Sequence, residues 1–475
     1  MEMNVYNSLT RRVEPLVPLA ENTVRLYTCG PTVYNFAHIG NFRAYTFEDI
    51  LRRVIQFNGM KVRQVMNLTD VDDKTIKGAN AQGVALTDYT KTYKDAFFAD
   101  LGKLNVQPAE VYPAATDHIP EMIALVQTLM EKGVAYQSED GSVYFAVTKF
   151  PGYGKLAHID FDNQRTGARC AADEYDKENV GDFALWKAWE PSDGPVGWDS
   201  PWGRGRPGWH IECSAMSCRY LGTTIDIHCG GQDLIFPHHE NEIAQSEACN
   251  GVKFANYWMH NGFITVDNEK MSKSKGNFFT VRDVAKQFGY EPIRLLMISC
   301  QYRSPINYSY DSLVQCKTSL TRLHTCRDSL DFALANASGE ISDSDLDTLL
   351  AEFNGFRARF CDAMDDDLNT ADAIGIIFDL TRFINKNVLT SAPAKAAVRE
   401  AIKIFDELTG VLGIVYEEKS GSEDGNDGEI DALIEERTAA RKEKNWAKAD
   451  EIRNKLTEMG IVLEDTPQGV KWHRA

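Results

Sequence analysis

Two patterns of apolar and polar residues divide the chain near position 308. Up to that point, short apolar runs with the period of strands alternate with longer runs that have the helical period. This succession is typical of an α/β fold with a doubly wound, Rossmann-like parallel sheet, in which a nucleotide binds at the carboxyl ends of the strands. Strands are predicted over residues 24–28, 61–66, 224–228 and 262–266, and helices over 43–57 and 237–248, with a further helix start at 280–283.

The stretch 113–208 interrupts this alternation, and we interpret it as a connective insertion within a domain that spans residues 1–308. The two halves of the predicted sheet therefore come from segments on either side of the insertion. It contains a helical pattern over 119–132, a hairpin pattern over 136–147 and a loop rich in Gly, Pro and Trp over 191–207.

From residue 309 the pattern becomes helical. Residues 309–416 are predicted to form an α-helical bundle domain, because apolar residues recur there at helical spacing. The acidic run from Asp365 to Asp367 fits a capped turn between two of these helices better than it fits an ion site. The predicted helices span 310–334, 346–364, 370–387 and 394–412.

A small mixed module is predicted at the end of the chain. Residues 417–428 are rich in Gly, Ser, Asp and Glu and lack apolar side chains, which is typical of a flexible linker. The module itself, residues 429–475, has two helical segments over 430–459 with many cationic residues and with Trp446 at their break. A solvated charged surface accounts for such a pattern, but a tryptophan among cations also suits single-stranded RNA.

Composition narrows the possible classes of protein. With 475 residues and ordinary charged and apolar fractions, the chain is long enough for about three domains. Its N-terminus lacks the character of a signal peptide, no run approaches the ~20 apolar residues of a membrane span, and ten scattered cysteines suit a reducing compartment. We therefore expect a cytoplasmic protein, and a monomer. A net charge of −18 argues against broad nucleic-acid binding, so an RNA partner would need a local basic track.

The strongest chemical signal is a lysine-rich loop after the predicted strand 262–266. Lys270, Lys273 and Lys275 lie within six positions and are followed by a Gly-Asn turn. Because a buried, unpaired ammonium group is costly, these side chains do not all belong to a core. Cations on a loop that can close over a ligand suit a triphosphate, although a solvated basic loop has the same composition.

A second candidate nucleotide element follows the predicted strand 24–28. A loop with Gly and Pro leads to His38, Gly40 and Asn41, just before the predicted helix 43–57. A helix start offers backbone N–H groups and the positive end of the helix dipole to a phosphate. His38 can donate a hydrogen bond to phosphate oxygens, and Gly40 allows a nucleotide to approach the backbone closely.

A third constellation indicates a metal. His238 and Glu242 are four residues apart, so they share one face of the predicted helix and can bind one ion together. With Cys29 and Cys213 they make a plausible four-coordinate zinc site. Each also has an ordinary explanation, because an isolated cysteine often packs as a small hydrophobe and His-x-x-x-Glu is common on helix surfaces.

The order of residues in these segments resembles a known family. Residues 270–274, Lys-Met-Ser-Lys-Ser, are identical to the lysine-rich signature of class I aminoacyl-tRNA synthetases. Residues 38–41, His-Ile-Gly-Asn, resemble their histidine-glycine element, which usually ends in histidine where this chain has Asn41. Residues 29–34, 208–216 and 236–242 look like the matching segments of the cysteinyl-tRNA synthetase family. The resemblance extends over nearly the whole chain and is weakest over 335–429.

This resemblance implies the activity and the roles of individual residues. The family joins cysteine to ATP, with Mg²⁺, giving cysteinyl-adenylate and pyrophosphate, and then transfers cysteine to the 3′ end of tRNA(Cys). One Zn²⁺ per chain would be held by Cys29, Cys213, His238 and Glu242, and would take the thiolate of the substrate. The catalytic positions would be His38, Asn41, Lys270 and Lys273, and those that bind ATP would be Gly40, Gly230, Gly231 and Lys273. Thr69, Trp209 and Asp233 would contact the amino acid, and residues 429–475 would bind the tRNA anticodon.

Two alternatives remain open from the sequence. A relative could use the same adenylate to acylate an amino sugar in thiol biosynthesis, but it would not need an RNA-binding module after residue 429. A non-catalytic zinc protein built on this fold would not need both the lysine-rich loop and the four metal-ligand residues.

Overall fold

The structure, a computed structural model, describes residues 3–159, 181–267, 269–270, 279–416, 427–466 and 469–474. The strands are β1 (Asn4–Asn7), β2 (Arg12–Pro15), β3 (Thr23–Thr28), β4 (Lys61–Met66), β5 (Ala135–Gln137), β6 (Val143–Phe145), β7 (Phe183–Ala188), β8 (Gly205–Pro207), β9 (Ile225–Gly231), β10 (Ala255–Asn261), β11 (Ile264–Val266), β12 (Glu269–Lys270), β13 (Ile306–Tyr308), β14 (Ile461–Thr466) and β15 (Gly469–Arg474).

The α-helices follow the same chain order. They are α1 (Ile39–Phe57), α2 (Asp73–Gln82), α3 (Leu86–Lys103), α4 (Ile119–Glu131), α5 (Trp209–Leu221), α6 (Glu240–Asn250), α7 (Val281–Phe288), α8 (Tyr290–Met297), α9 (Tyr310–Ala335), α10 (Asp343–Asp365), α11 (Thr370–Asn387), α12 (Lys395–Leu412), α13 (Asp427–Lys442) and α14 (Trp446–Glu458).

The chain forms two compact units, the first over residues 1–317, 360–374 and 411–414 and the second over 318–359, 375–410 and 415–475. A parallel sheet with the strand order β10-β9-β3-β4 belongs to the first unit. Its strands alternate with helices along the chain, so the predicted Rossmann-like α/β fold is confirmed. Strands β3, β4 and β9 occur within three residues of their predicted positions. The predicted strand over 262–266 is β11, and it pairs with β12 and β13 in a separate sheet rather than joining the central one.

Strand β10 is an edge of the central sheet that the sequence pattern did not predict. It reads Ala-Asn-Tyr-Trp-Met-His-Asn, and all of its residues except Asn256 are buried. Its polar side chains, including His260 and Asn261, break the apolar run by which a buried parallel strand is usually recognised.

The insertion forms its own small layer on the first unit. Its helix α4 matches the prediction, and its strands β5 and β6 are the predicted hairpin. The antiparallel sheet continues in the order β5-β6-β7-β8, so the predicted loop over 191–207 is wrong at its end, where β8 pairs with β7. Strand β8 leads directly into α5 at Trp209.

The helical region and the terminal module follow the predicted pattern. Helices α9 to α12 lie within three residues of the predicted bounds. At the turn between α10 and α11, the Asp367 carboxylate accepts hydrogen bonds from the Tyr6 N–H at 2.7 Å and the Tyr302 hydroxyl at 2.8 Å, which is a structural role. In the second unit, α13 and α14 close over a cluster of Ile430, Ile434, Ile452, Leu456 and Ile461.

The predicted linker over 417–428 lies mostly outside the described residues, and α13 begins at Asp427, inside its predicted end. Among the helices that the structure describes, none is long and apolar enough to cross a membrane.

Candidate active site and metal cluster

The loop after β3 leads into α1, and His38 occupies the position just before the helix. Its backbone is extended (φ −85°, ψ 162°), and its N–H donates to Asn41 Oδ1 at 3.1 Å. Asn41 therefore secures the first turn of the helix through its amide oxygen. Gly40 is the second residue of α1.

The structure brings the residues that follow the lysine-rich segment to this same helix start. Lys270 lies in β12, where it pairs with Thr265 of β11. Lys273 and the rest of 271–278 lie outside the described residues. Where the description resumes, the Ile39 N–H donates to the carbonyl of Phe279 at 3.1 Å, and His38 forms a bridge with Thr280. Thr280 then caps α7, as the sequence predicted for 280–283.

The four predicted metal ligands come together beneath this region. Cys29 follows β3, Cys213 lies on α5, and His238 and Glu242 flank the start of α6. The Cys213 Sγ lies 3.5 Å from His238 Nε2, which in turn lies 3.0 Å from Glu242 Oε1. One ligand atom from each of Cys29, His238, Glu242 and the neighbouring His239 lies within 4.8 Å of the others. All of these side chains are buried.

The charges of these side chains are coupled. Burial raises the pKa of Cys213, but hydrogen bonding with Cys29 and the nearby His238 outweigh it and bring the pKa down to about 6. Burial likewise raises the pKa of Glu242, but His228 and His238 outweigh it and lower the pKa to about 2. Burial, and then Cys213, raise the pKa of Cys29 well above its usual range. The cluster therefore contains a carboxylate and a readily formed thiolate.

The cluster fits a zinc ion in donor type and in spacing. Zinc binds Cys, His and carboxylate donors at about 2.0–2.3 Å, so its ligand atoms in a tetrahedral site lie about 3.3–3.8 Å apart. The Cys213 Sγ and the Glu242 Oε1 lie 3.5 Å and 3.0 Å from His238 Nε2, which is near this spacing. The four residues whose ligand atoms all lie within 4.8 Å of one another include His239 rather than Cys213.

Three further histidines contact the cluster, and the first of them, His210, has its Nδ1 2.9 Å from His238 Nδ1. His239 Nε2 lies 3.3 Å from the Cys29 Sγ, and its Nδ1 lies 2.8 Å from His260 Nε2. His228 Nε2 contacts Glu242 Oε2 at 2.8 Å. His239 is thus a fifth donor to which the sequence analysis gave no role, and its position beside His238 was the available signal.

The residues that we predicted to bind the amino acid substrate differ in their exposure to solvent. The Trp209 indole stacks on the His238 ring with centroids 4.2 Å apart, and 42% of its surface is exposed. Asp233 is exposed on the turn Gln232–Leu234, directly after Gly230 and Gly231. A side chain at Gly230 would place its Cβ 2.8 Å from the His239 ring, so only glycine fits there.

Thr69 is buried and leads to a residue that sequence reasoning missed. Its hydroxyl donates to Glu212 Oε2 at 2.7 Å. Glu212 precedes Cys213 on α5 and is completely buried, and burial raises its pKa well above the usual range. A glutamate beside a candidate metal ligand, in a segment of largely apolar residues, was the signal that could have identified it.

Comparisons with known proteins agree along the chain. A family model described as the tRNA synthetases class I (C) catalytic domain matches residues 15–318, one described as the DALR domain matches 359–417, and one described as the cysteinyl-tRNA ligase anticodon binding domain matches 423–472. A cysteine–tRNA ligase of Clostridioides difficile is 49% identical over 99% of this chain and 100% of its own length. One from Brachyspira hyodysenteriae is 50% identical over 99% of this chain and 98% of its own length.

A solved structure of a Mycobacterium tuberculosis methionyl-tRNA synthetase with methionyl-adenylate has the same fold. It superposes with a TM-score of 0.60 at 17% identity, over 82% of this chain and 90% of that one.

Proposed function

The chain belongs to the cysteine–tRNA ligase family of class I aminoacyl-tRNA synthetases, and from this membership we propose how its site works. The protein is a cysteine–tRNA ligase. In the first step the carboxylate of cysteine attacks the α-phosphorus of ATP, which forms cysteinyl-adenylate and releases pyrophosphate. In the second a ribose hydroxyl at the 3′ end of tRNA(Cys) attacks the activated carbonyl, which forms the ester and releases AMP.

The phosphate groups of ATP, with Mg²⁺, bind between the histidine-glycine element and the lysine-rich loop. His38, Lys270 and Lys273 stabilise the negative charge that develops around the α-phosphate, because fixed donors act most strongly on charge that forms in the transition state. Gly40 leaves room for the nucleotide at the helix start, where Asn41 holds the first turn. The contact of the Ile39 N–H with the Phe279 carbonyl supports this arrangement, since it ties the helix start to the end of the lysine-rich segment.

Zinc would be held by Cys29, Cys213, His238 and Glu242. It would supply a Lewis-acid position that favours a thiolate, whereas a serine hydroxyl stays protonated near neutral pH and is a poor ligand. The buried cluster of two cysteines, a histidine and a glutamate beside Trp209 is the observation that carries the choice of cysteine as substrate.

The remaining substrate contacts are those that the family resemblance implies. Asp233 pairs with the ammonium group of cysteine, and Gly230 and Gly231 let the adenosine approach the end of β9. Trp209 forms a wall of the small side-chain pocket, and Thr69 also contacts the amino acid.

The whole chain is arranged as a catalytic domain over 1–308 with its insertion over 113–208, a helical bundle over 309–416, a linker over 417–428 and an anticodon-binding module over 429–475. We place it in the cytoplasm as a monomer. An enzyme that acylates an amino sugar has no use for the terminal module, and the match to an anticodon-binding domain over 423–472 counts against that alternative.

Cysteine-dependent exchange of pyrophosphate into ATP, followed by charging of total tRNA, tests the function. Exchange together with cysteine incorporation into tRNA is expected. Exchange without charging would favour the amino-sugar reaction, and the absence of both would favour a non-catalytic zinc protein.

A further inference from the structure

We propose that Glu212 is a positioning residue that fixes the hydroxyl of Thr69 as a hydrogen-bond acceptor for the ammonium group of the amino acid. The inference rests on the proposed function, because it concerns the substrate of that reaction. It assigns a role to a buried carboxyl group that the proposed function leaves without one.

A series of hydrogen bonds links Glu212 to the loop that follows β3. The Gly30 N–H donates to Asn67 Oδ1 at 2.9 Å, which fixes the orientation of that amide. Asn67 Nδ2 then donates to Thr69 Oγ1 at 3.3 Å, and the Thr69 hydroxyl donates to Glu212 Oε2 at 2.7 Å. Because the Gly30 N–H can only donate, the Asn67 amide group is oriented to donate to Thr69. The hydrogen of Thr69 is then directed to Glu212 when Glu212 is a carboxylate.

Packing alone does not explain a glutamate at position 212. It is completely buried, and its Oε1 has no hydrogen-bond partner among the described residues. A buried carboxyl group with an unsatisfied oxygen opposes folding. The contact with Thr69 is the one hydrogen bond that the described part of the chain gives its side chain.

This arrangement decides what Thr69 can bind. A hydroxyl has one hydrogen and two lone pairs, and here the hydrogen and one lone pair are already used. The free lone pair can accept from an ammonium group but cannot pair with a carboxylate. Glu212 directly precedes Cys213, so Thr69 hydrogen-bonds to the neighbour of a candidate metal ligand. We place the ammonium group of an amino acid whose sulfur is bound at the metal cluster on the free lone pair of Thr69.

Four single variants and one double variant test the assignment in cysteine-dependent pyrophosphate exchange. Glu212→Leu removes the acceptor at similar volume, and Glu212→Asp keeps the carboxyl group but withdraws it. Both are expected to raise the KM for cysteine about tenfold to a hundredfold, the effect of losing a hydrogen bond to a charged group, with the KM for ATP unchanged. Thr69→Val should do the same, and combining it with Glu212→Asp should add little. Glu212→Gln, which retains an acceptor oxygen, should restore most of the affinity.

Ser217→Ala is the matched control on the same helix, because Ser217 is buried and its hydroxyl has no partner in the described part of the chain. It should leave both KM values unchanged. Zinc content and melting temperature, measured for each variant, identify any that lost the metal or the fold. If Glu212→Leu does not fold, Glu212→Asp and Glu212→Gln decide the question.

Two competitive inhibitors separate an ammonium contact from general damage. Cysteamine carries the thiol and the ammonium group, whereas 3-mercaptopropionate carries the thiol and the carboxylate. The Glu212→Asp variant should bind cysteamine about tenfold more weakly and 3-mercaptopropionate as the wild type does. Equal weakening of both inhibitors, or of neither, would overturn the inference. A wild-type protein without cysteine-dependent exchange would instead overturn the proposed function.

Discussion

The thiol of Cys213 shows how single side chains prepare the metal cluster. Hydrogen bonding with Cys29 and the nearby His238 outweigh burial and bring its pKa to about 6, so it becomes a thiolate more readily than an ordinary cysteine. A thiolate is the form that binds zinc. At the scale of the residue, the site is therefore favourable to a soft divalent metal ion.

Replacing this thiol should remove the metal. We expect Cys213→Ser to weaken zinc binding by more than about 100-fold, beyond what loss of a mere supporting contact costs. The preference for cysteine over serine in pyrophosphate exchange should fall with it. Elemental analysis of freshly purified protein measures the first effect. Cys218→Ser, on the same helix, is the control and should retain one zinc per chain. Full zinc content in Cys213→Ser would contradict the ligand assignment.

The charge of Lys273 should matter for chemistry more than for binding. Lys273→Ala is expected to lower the rate of adenylate formation about 100-fold to 1,000-fold, because its charge is used when negative charge builds at the α-phosphate. The KM for cysteine should change little. Lys286→Ala serves as the control, since this lysine on α7 is exposed and pairs with Asp283. A near-normal exchange rate in Lys273→Ala would contradict its role, and His38→Ala should behave as Lys273→Ala does.

Sequence spacing alone could connect only part of the cluster. His238 and Glu242 were predictable as a pair because a helix places residues four apart on one face. Cys29 and Cys213 could be added to them as suitable zinc donors, but the resemblance was needed to give these two cysteines that role. Nothing local in the sequence states which distant segments meet. His239 was not predicted as a metal ligand, because the side chains of adjacent residues on a regular helix point in different directions. Here Ile235–His239 form a wide turn with extended backbone at Phe236 (φ −138°, ψ 131°), which lets both histidines reach the site.

At the scale of elements, one buried cation, Arg294, contacts several helices of the first unit. Arg294 on α8 pairs with Asp49 on α1 at 2.5 Å, and both side chains are completely buried. Its guanidinium also donates to the carbonyls of Leu104 and Leu412, each at 2.9 Å. One side chain thus satisfies the ends of two helices and the charge on a third.

We expect Arg294→Leu to destabilise the protein by about 3–5 kcal/mol, because it leaves Asp49 with less compensation in the interior. Denaturation by urea, followed by tryptophan fluorescence, measures the shift of the transition midpoint. Arg322→Leu is the matched control, since this exposed arginine lies over the Phe378 ring at 4.9 Å and should cost about 1 kcal/mol or less. Equal midpoints for the two variants would contradict the importance of the buried pair.

The pattern of apolar residues predicted long helices better than short strands. Helices α9 to α12 show several turns of helical spacing, which leaves little ambiguity about their ends. Strand β8 has three residues, Gly-Arg-Pro, and its place in a sheet depends on pairing with β7 rather than on any local preference. Strand β10 was missed for a related reason, because its histidine and asparagine are accommodated by tertiary contacts.

At the scale of the whole molecule, the terminal module has a core of its own. Its buried residues are Ile430, Ile434, Ile452, Leu456 and Ile461, and Trp446 at the start of α14 remains 58% exposed. An exposed indole beside cationic side chains can stack on an unpaired base. The general fold and the reaction could be predicted from the sequence through its signatures, but the exposure of this ring could not.

Removal of residues 429–475 should leave pyrophosphate exchange nearly intact while it impairs the charging of tRNA. The full-length chain should also lose tRNA affinity with added salt more steeply than the truncated chain, because phosphate contacts release counterions. Filter binding at several salt concentrations measures this slope. Unchanged charging kinetics in the truncated protein would assign the module another role.

Trp446→Ala should weaken tRNA binding by about 1–3 kcal/mol, the contribution of one stacked base, without affecting exchange. Trp446→Phe keeps an aromatic ring and serves as the matched control. If alanine and phenylalanine give the same affinity as tryptophan, base stacking at this position is excluded.

The position of β3 between β4 and β9 has a consequence during synthesis on the ribosome. Its partner β4 is made soon afterwards, but β9 comes much later, and the contacting pair Arg25 and Asp226 is 201 positions apart. At about 5–20 residues per second, the nascent chain carries one open edge of β3 for roughly 10–40 s. During that time the backbone N–H and C=O groups of the strand are available to other chains. The pace at which a cell translates the insertion therefore bears on how much of this enzyme reaches its native state.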